Sequence, residues 1–174
     1  MNSVQEHKEQ APAIVQCMVV TVSDTRTTDN DKSGQLMIRL LEEAGHRIAA
    51  YTIVKDDYEQ IRETVRTGVS RPDIDIVLLT GGTGISSRDT TYEAVSSMLE
   101  KELPGFGEIF RYLSFAEDIG TAAILSRAIG GTIQNTAVFS MPGSTGAVKL
   151  AMNRLLLPEL THIKQELIKH EPKR

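Results

Sequence analysis

Three apolar, β-branched runs in this chain stop abruptly at polar or glycine-rich loops, and this punctuation limits the folds open to it. Ile14 to Val22 runs into the polar stretch from Ser23 through Asp24 and Arg26 to Asp31. Ile74 to Thr80 runs into Gly81-Gly82-Thr83-Gly84, and Thr136 to Met141 into Pro142-Gly143-Ser144-Thr145-Gly146. Such runs read as strands buried on both faces, the habit of parallel sheets. Another strand fits His46 to Val54. Between strands the spacing turns helical: Leu36, Leu40, Leu41 and Ala44 before Gly45, then Ile61, Val65 and Val69 after Tyr58. Asp31 or Ser33 would cap the first of these helices, and Gly45 would stop it. Strands alternating with helices predict an α/β fold with a mostly parallel central sheet, covered on both faces.

The second half is less regular. The pattern predicts a helix over Thr91 to Glu100, then loop and helix from Pro104 to Glu117. There Phe106, Phe110, Leu113 and Phe115 would supply most of the aromatic core. A short helix at Thr121 to Ser126 leads to strands near Ala128 to Ile133 and Thr136 to Met141. A closing helix carries Val148, Met152 and Leu155, Pro158 breaks or bends it, and Leu160, Ile163 and Leu167 mark a last amphipathic segment.

A chain of 174 residues, 40% hydrophobic, suits one domain, 13–170, behind a polar, flexible tail from Met1 to Pro12. The tail lacks the apolar core of a signal peptide. A single cysteine, Cys17, allows no internal disulfide and sits mid-strand as inert core. These features predict a cytoplasmic protein. No apolar stretch approaches the roughly 18 residues needed to span a bilayer, so no membrane partner is expected. A net charge of −4 without a basic run argues against nucleic acid. Four scattered histidines offer no transition-metal cluster.

In open parallel sheets, ligands bind beyond the strand carboxyl ends, where the three loops fall. Thr80-Gly81-Gly82-Thr83-Gly84 is built to bring backbone N–H groups close to an anion, with Thr83, Ser86 and Ser87 adding hydroxyls and the next helix its positive end. It lacks the lysine of a Walker loop, and Ser87 stands where a dinucleotide fingerprint has glycine. A tight turn without a ligand is the alternative. The Pro142, Gly143, Ser144, Thr145 loop is a second anion candidate, unless Ser144 or Thr145 simply caps the last helix. Asp89 is either a helix cap or a Mg2+ ligand beside bound phosphates. Asp56 and Asp57 follow the second strand; one could cap the next helix while the other faces the crevice. Asp24 offers a further carboxylate, and Arg26 suits phosphate or carboxylate recognition unless that loop is merely solvated.

The chain resembles the molybdenum cofactor biosynthesis family of MoaB and MogA over about Ile14 to Leu167. The marks are Thr80-Gly81-Gly82-Thr83-Gly84, Arg88-Asp89, Pro104-Gly105-Phe106-Gly107-Glu108, Leu125-Ser126-Arg127 and Pro142-Gly143. Met141-Pro142-Gly143-Ser144-Thr145 and Ile53-Val54-Lys55-Asp56 look like the MoaB branch. The resemblance implies a three-layer α/β/α fold assembled as a homo-oligomer, a trimer or hexamer. It implies Mg2+-dependent transfer of AMP from ATP to the terminal phosphate of molybdopterin, with the product passed to a later molybdenum cofactor pathway enzyme. The essential carboxylates and metal ligands map onto Asp56 and Asp89. The glycine loop and Ser86 would hold the nucleotide phosphates. Glu108, Ser126, Pro142, Gly143, Ser144 and Thr145 would line the pterin and phosphate side.

Two other readings stay open. One is a non-catalytic module that holds a pterin or nucleotide for a partner enzyme. The other is a nucleotide-processing domain like that of competence-damage proteins.

Overall fold

In the computed structural model, which describes residues 14–170, the apolar runs divide their side chains between two cores. Strand β1 (Gln16–Val22) sends Cys17 and Val19 to one face and Met18, Val20 and Val22 to the other. Strand β3 (Ile76–Thr80) splits Ile76 and Leu78 from Val77 and Leu79 in the same way. A run apolar at every position is what a strand needs when both its faces are covered. Burial pushes the Cys17 thiol up to about 12.

Six strands form one sheet in the order β2-β1-β3-β6-β5-β4. Strands β2 (Arg47–Val54), β1, β3 and β6 (Thr136–Met141) are mutually parallel. Strands β5 (Ile129–Ile133) and β4 (Lys101–Glu102) add antiparallel pairings at one side. On one face lie helices α1 (Lys32–Glu43), α5 (Thr145–Ala151) and α6 (Leu160–Ile168), around Met37, Leu41, Val148 and Leu160. The other face carries α2 (Tyr58–Ser70) and α3 (Thr91–Ser96), through Ile61, Val65, Ala94 and Val95. The fold is therefore a three-layer α/β/α arrangement with a mostly parallel sheet. Among the described residues no helix is long and apolar enough to cross a membrane. The tail from Met1 to Pro12 lies outside the described residues.

Asp31 caps α1: its Oδ1 accepts the Gly34 N–H at 2.9 Å. Ser33, the other candidate, instead donates to the Gly143 carbonyl at 2.6 Å. Gly45 ends the helix region at φ 85°.

Several expectations need correction. The helix after the glycine loop stops at Ser96 rather than Glu100, because the backbone turns there and Glu100 N–H bonds to Thr132 on β5. Six residues make a short dipole, so α3 adds little positive field. The two-residue strand β4 carries no sequence signal of its own. Pro104–Glu117 is helix throughout (α4), with Pro104 in its first turn. Phe106, Phe110 and Leu113 are buried, but Phe115 is 56% exposed because it falls on the outer side of α4. The short helix at Thr121 to Ser126 is a 3-10 turn, Gly120–Leu125. Ahead of Pro158, which has no N–H to donate, the helix widens over Met152–Leu156, and Leu157 N–H reaches back to Met152.

The loops after β1, β2, β3 and β6 all open on the carboxyl edge. Antiparallel β5 starts at that same edge, since Ile129 pairs with Ser140. Ser126 and Arg127, just ahead of β5, thereby join the four loops.

Candidate phosphate and carboxylate site

The glycines of the carboxyl edge divide into two kinds. Gly81 and Gly143 let backbones touch. A Cβ on Gly81 (φ 102°) would sit 2.3 Å from the Val22 carbonyl oxygen, and one on Gly143 would sit 3.2 Å from Gly81 Cα. Gly81 N–H donates to Met141, and buried Thr80 Oγ1 to the Pro142 carbonyl, at 3.1 Å each. Gly82 and Gly84 instead let carboxylates approach. A Cβ on Gly82 (φ 66°) would lie 2.7 Å from Asp56 Oδ2 and 2.1 Å from Thr91 Oγ1. One on Gly84 would lie 2.6 Å from Asp89 Oδ2.

The neighbours Asp56 and Asp57 separate. Asp57 caps α2, accepting the Gln60 N–H at 2.9 Å. Asp56, only 9% exposed, turns to the glycine loop, where its Oδ1 accepts Thr90 N–H at 3.0 Å and Thr90 Oγ1 at 2.8 Å. Asp89 does not cap α3, whose cap position is Thr90. It closes the loop on itself: Asp89 Oδ2 accepts Ser86 N–H at 3.0 Å and Ser86 Oγ at 2.6 Å. The remaining oxygens, Asp56 Oδ2 and Asp89 Oδ1, accept no hydrogen bond among the described residues.

Asp24 ties these parts together. It accepts Asp56 N–H at 3.1 Å and pairs with Arg88 at 2.5 Å. The Arg88 hydrogen bond, helped by the Asp56 amide, holds its carboxyl below the usual carboxylate range.

The glycine loop shows a consistent polarity. Its carbonyls point inward: Gly82 accepts Thr91 N–H, while Thr83, Gly84 and Asp89 accept from the Arg127 guanidinium. The N–H groups of Gly82, Thr83, Gly84 and Ile85 have no partner among the described residues. Arg127 belongs to the Leu125-Ser126-Arg127 motif, yet sequence alone assigns it no part in the loop. Its arrival depends on β5 turning back on β6 and on β6 lying beside β3, and the second of these joins parts of the chain far apart in sequence.

Other expected residues are less gathered. Ser144 caps α5, accepting Ala147 N–H at 3.1 Å. Gly143 joins Arg26, Ser33 and Gly81 around a cavity of about 160 Å³. Thr145 lines a separate one, of about 470 Å³, with Asp31 and Lys32. The Ser126 hydroxyl is buried without a partner among the described residues. Glu108 is exposed on α4 and makes no hydrogen bond to the loop.

Two carboxylates with free oxygens beside free N–H groups suit a phosphate chain and a hard cation. Among the described residues no cluster of three or more His, Cys, Asp or Glu could hold a metal alone. Magnesium characteristically uses one or two carboxylates and completes its shell with phosphate oxygens and water.

Known proteins resemble this chain in sequence and fold. Residues 18–162 match the family described as a probable molybdopterin binding domain. Molybdenum cofactor biosynthesis protein B of Bacillus subtilis is 63% identical over 167 residues, covering 96% of this chain and 98% of the relative. A crystal structure of a molybdenum cofactor biosynthesis protein B superposes with a TM-score of 0.90 at 60% identity, covering 92% of this chain and all of that one. The tungsten cofactor synthesizing protein MoaB from Pyrococcus furiosus superposes with a TM-score of 0.80 at 37% identity, covering 90% of this chain and 99% of that one. With these identities spanning nearly its whole length, the chain belongs to the molybdenum cofactor biosynthesis protein B family.

Proposed function

We propose that this protein works in molybdenum cofactor biosynthesis by transferring AMP from ATP to the terminal phosphate of molybdopterin. A pterin phosphate oxygen bonds to the α-phosphorus of ATP. The bond to the β-phosphate oxygen breaks, and pyrophosphate leaves with the electron pair. The observation that carries this reading is the pairing of Asp56 with Gly82 and of Asp89 with Gly84, on a loop whose N–H groups are unspent.

The pterin phosphate is already a nucleophile, so no side chain has to attack. The protein's part is positioning and charge neutralisation. Free N–H groups of the loop face the phosphate oxygens. Asp56 Oδ2 and Asp89 Oδ1 would hold Mg2+, which when bound offsets negative charge on the triphosphate. Thr90 and Ser86 fix the other oxygen of each carboxylate, which sets the direction of the free one. Ser126, with its unpartnered hydroxyl, is assigned to the pterin side with Glu108 and the Pro142, Gly143, Ser144 and Thr145 loop.

The test is pyrophosphate release from molybdopterin, ATP and Mg2+, with the adenylylated product identified by mass. Tight molybdopterin binding without pyrophosphate release would leave a non-catalytic binding module in its place.

The same reading includes a homo-oligomer, a trimer or hexamer. It is supported by apolar side chains on the outer side of α4 and the turn after it. Tyr112 is 67% exposed and Ile124 84%, and with Phe115 they line one open surface depression. Contiguous exposed apolar surface of this kind marks contact sites. Sedimentation at micromolar concentration should exceed the 19.1 kDa monomer.

A further inference from the structure

The carbonyls of the glycine loop converge on one side chain. Arg127 Nε reaches Thr83 O at 3.4 Å, and its Nη2 reaches Gly84 O and, at 3.4 Å, Asp89 O. Both oxygens of Glu93 grip the guanidinium from another side, Oε2 at 3.3 Å from Nη2. The Tyr92 ring lies under it, 5.1 Å from Cζ to centroid. Arginine suits this place because its planar fork offers five fixed donors.

A trans peptide points its C=O and the following N–H in opposite directions. When Arg127 draws in the carbonyls of Thr83, Gly84 and Asp89, it turns the N–H groups of Gly84, Ile85 and Thr90 away from itself. One of these has a visible target, for Thr90 N–H donates to Asp56 Oδ1 at 3.0 Å. The other two have no partner among the described residues.

We propose that Arg127 is a positioning residue: by holding three loop carbonyls it aims the Gly84 and Ile85 N–H groups at phosphate and the Thr90 N–H at Asp56. This rests on the loop being the phosphate-binding element. Arg127 points its charge at carbonyls and Glu93, and acts on phosphate only through the loop backbone. Lysine cannot replace it, having a single point charge in place of a fork.

The experiment follows the amide resonances of Gly84 and Ile85 as inorganic pyrophosphate and Mg2+ are added, with affinity from calorimetry and Tm as the control for folding. In the wild type both amides should move on binding. Arg127→Lys should keep a similar Tm, lose affinity about tenfold, as for one charge-assisted contact, and show smaller shifts at both amides. Glu93→Gln, which loosens the guanidinium while leaving it in place, should change the same readings in the same direction by a smaller factor. Wild-type affinity and shifts in Arg127→Lys, or in Glu93→Gln if the lysine variant fails to fold, would overturn the role of Arg127. A wild type that binds pyrophosphate through other amides would overturn the phosphate reading of the loop and this inference with it.

Discussion

The Asp56 carboxylate takes both the amide and the hydroxyl of Thr90, at 3.0 and 2.8 Å, and so fastens the loop after β2 to the glycine loop after β3. Its neighbour Asp57 faces the other way and caps α2. The two should therefore fail differently. Asp57→Ala should lower stability by about 1 kcal/mol, the usual worth of such a cap, with turnover kept. Asp56→Asn should keep the fold, since an amide oxygen can still accept from Thr90, and lose turnover by about a hundredfold or more. Urea melts and pyrophosphate release on both variants check the contrast.

Asp56 and Asp89 are expected to act as one unit. Each has one oxygen held by the protein and one free. Asp56→Ala and Asp89→Ala should each remove most of the rate, and the double variant little more, as for groups that serve one step together. Single-turnover rates for the three variants test this. Losses that multiply cleanly would mean independent roles.

Gly82 and Gly45 both lie at positive φ, 66° and 85°, but in different surroundings. Nothing lies within 4 Å of a Cβ on Gly45, whereas one on Gly82 would meet Thr91 Oγ1 at 2.1 Å. Gly45→Ala should cost about 1 kcal/mol, the backbone penalty alone. Gly82→Ala should cost about 3 kcal/mol, because strain in a filled site is added. The difference between their urea midpoints measures the steric part. Equal losses would mean that Thr91 yields freely.

Buried His46 accepts the Val15 N–H at Nδ1, 3.3 Å away. Burial holds its imidazole below the ordinary 6.5. The unfolded chain takes up this proton near 6.5 and the folded one only at lower pH. The stability it contributes is therefore complete above 6.5 and is lost as pH falls through the folded value. Unfolding free energy should decline below pH 6.5 in the wild type. The decline should be shallower in His46→Asn, which keeps an acceptor that does not titrate.

Much of the molecule is written in short stretches of sequence. Apolar runs ending in glycine or polar loops determined β1, β3 and β6, their carboxyl ends and the edge where a ligand would sit, because backbone preference and burial act over a few residues. A cap at Asp31 or Ser33 and a stop at Gly45 were legible for the same reason, and tertiary contact of Ser33 with Gly143 leaves the cap to Asp31. What the tertiary structure decided depends on which elements become neighbours. Whether Asp56 or Asp57 faces the loop follows from where Thr90 lies. Phe115 is outside although its neighbours Phe110 and Leu113 are inside, because only the packed helix defines an inner side. Arg127 reaches the glycine loop because β5 pairs antiparallel with β6, bringing its start to the carboxyl edge. The two-residue turn between β5 and β6 is local, but the pairing of β6 with β3 joins distant parts of the chain, so no local pattern encodes which loop Arg127 meets.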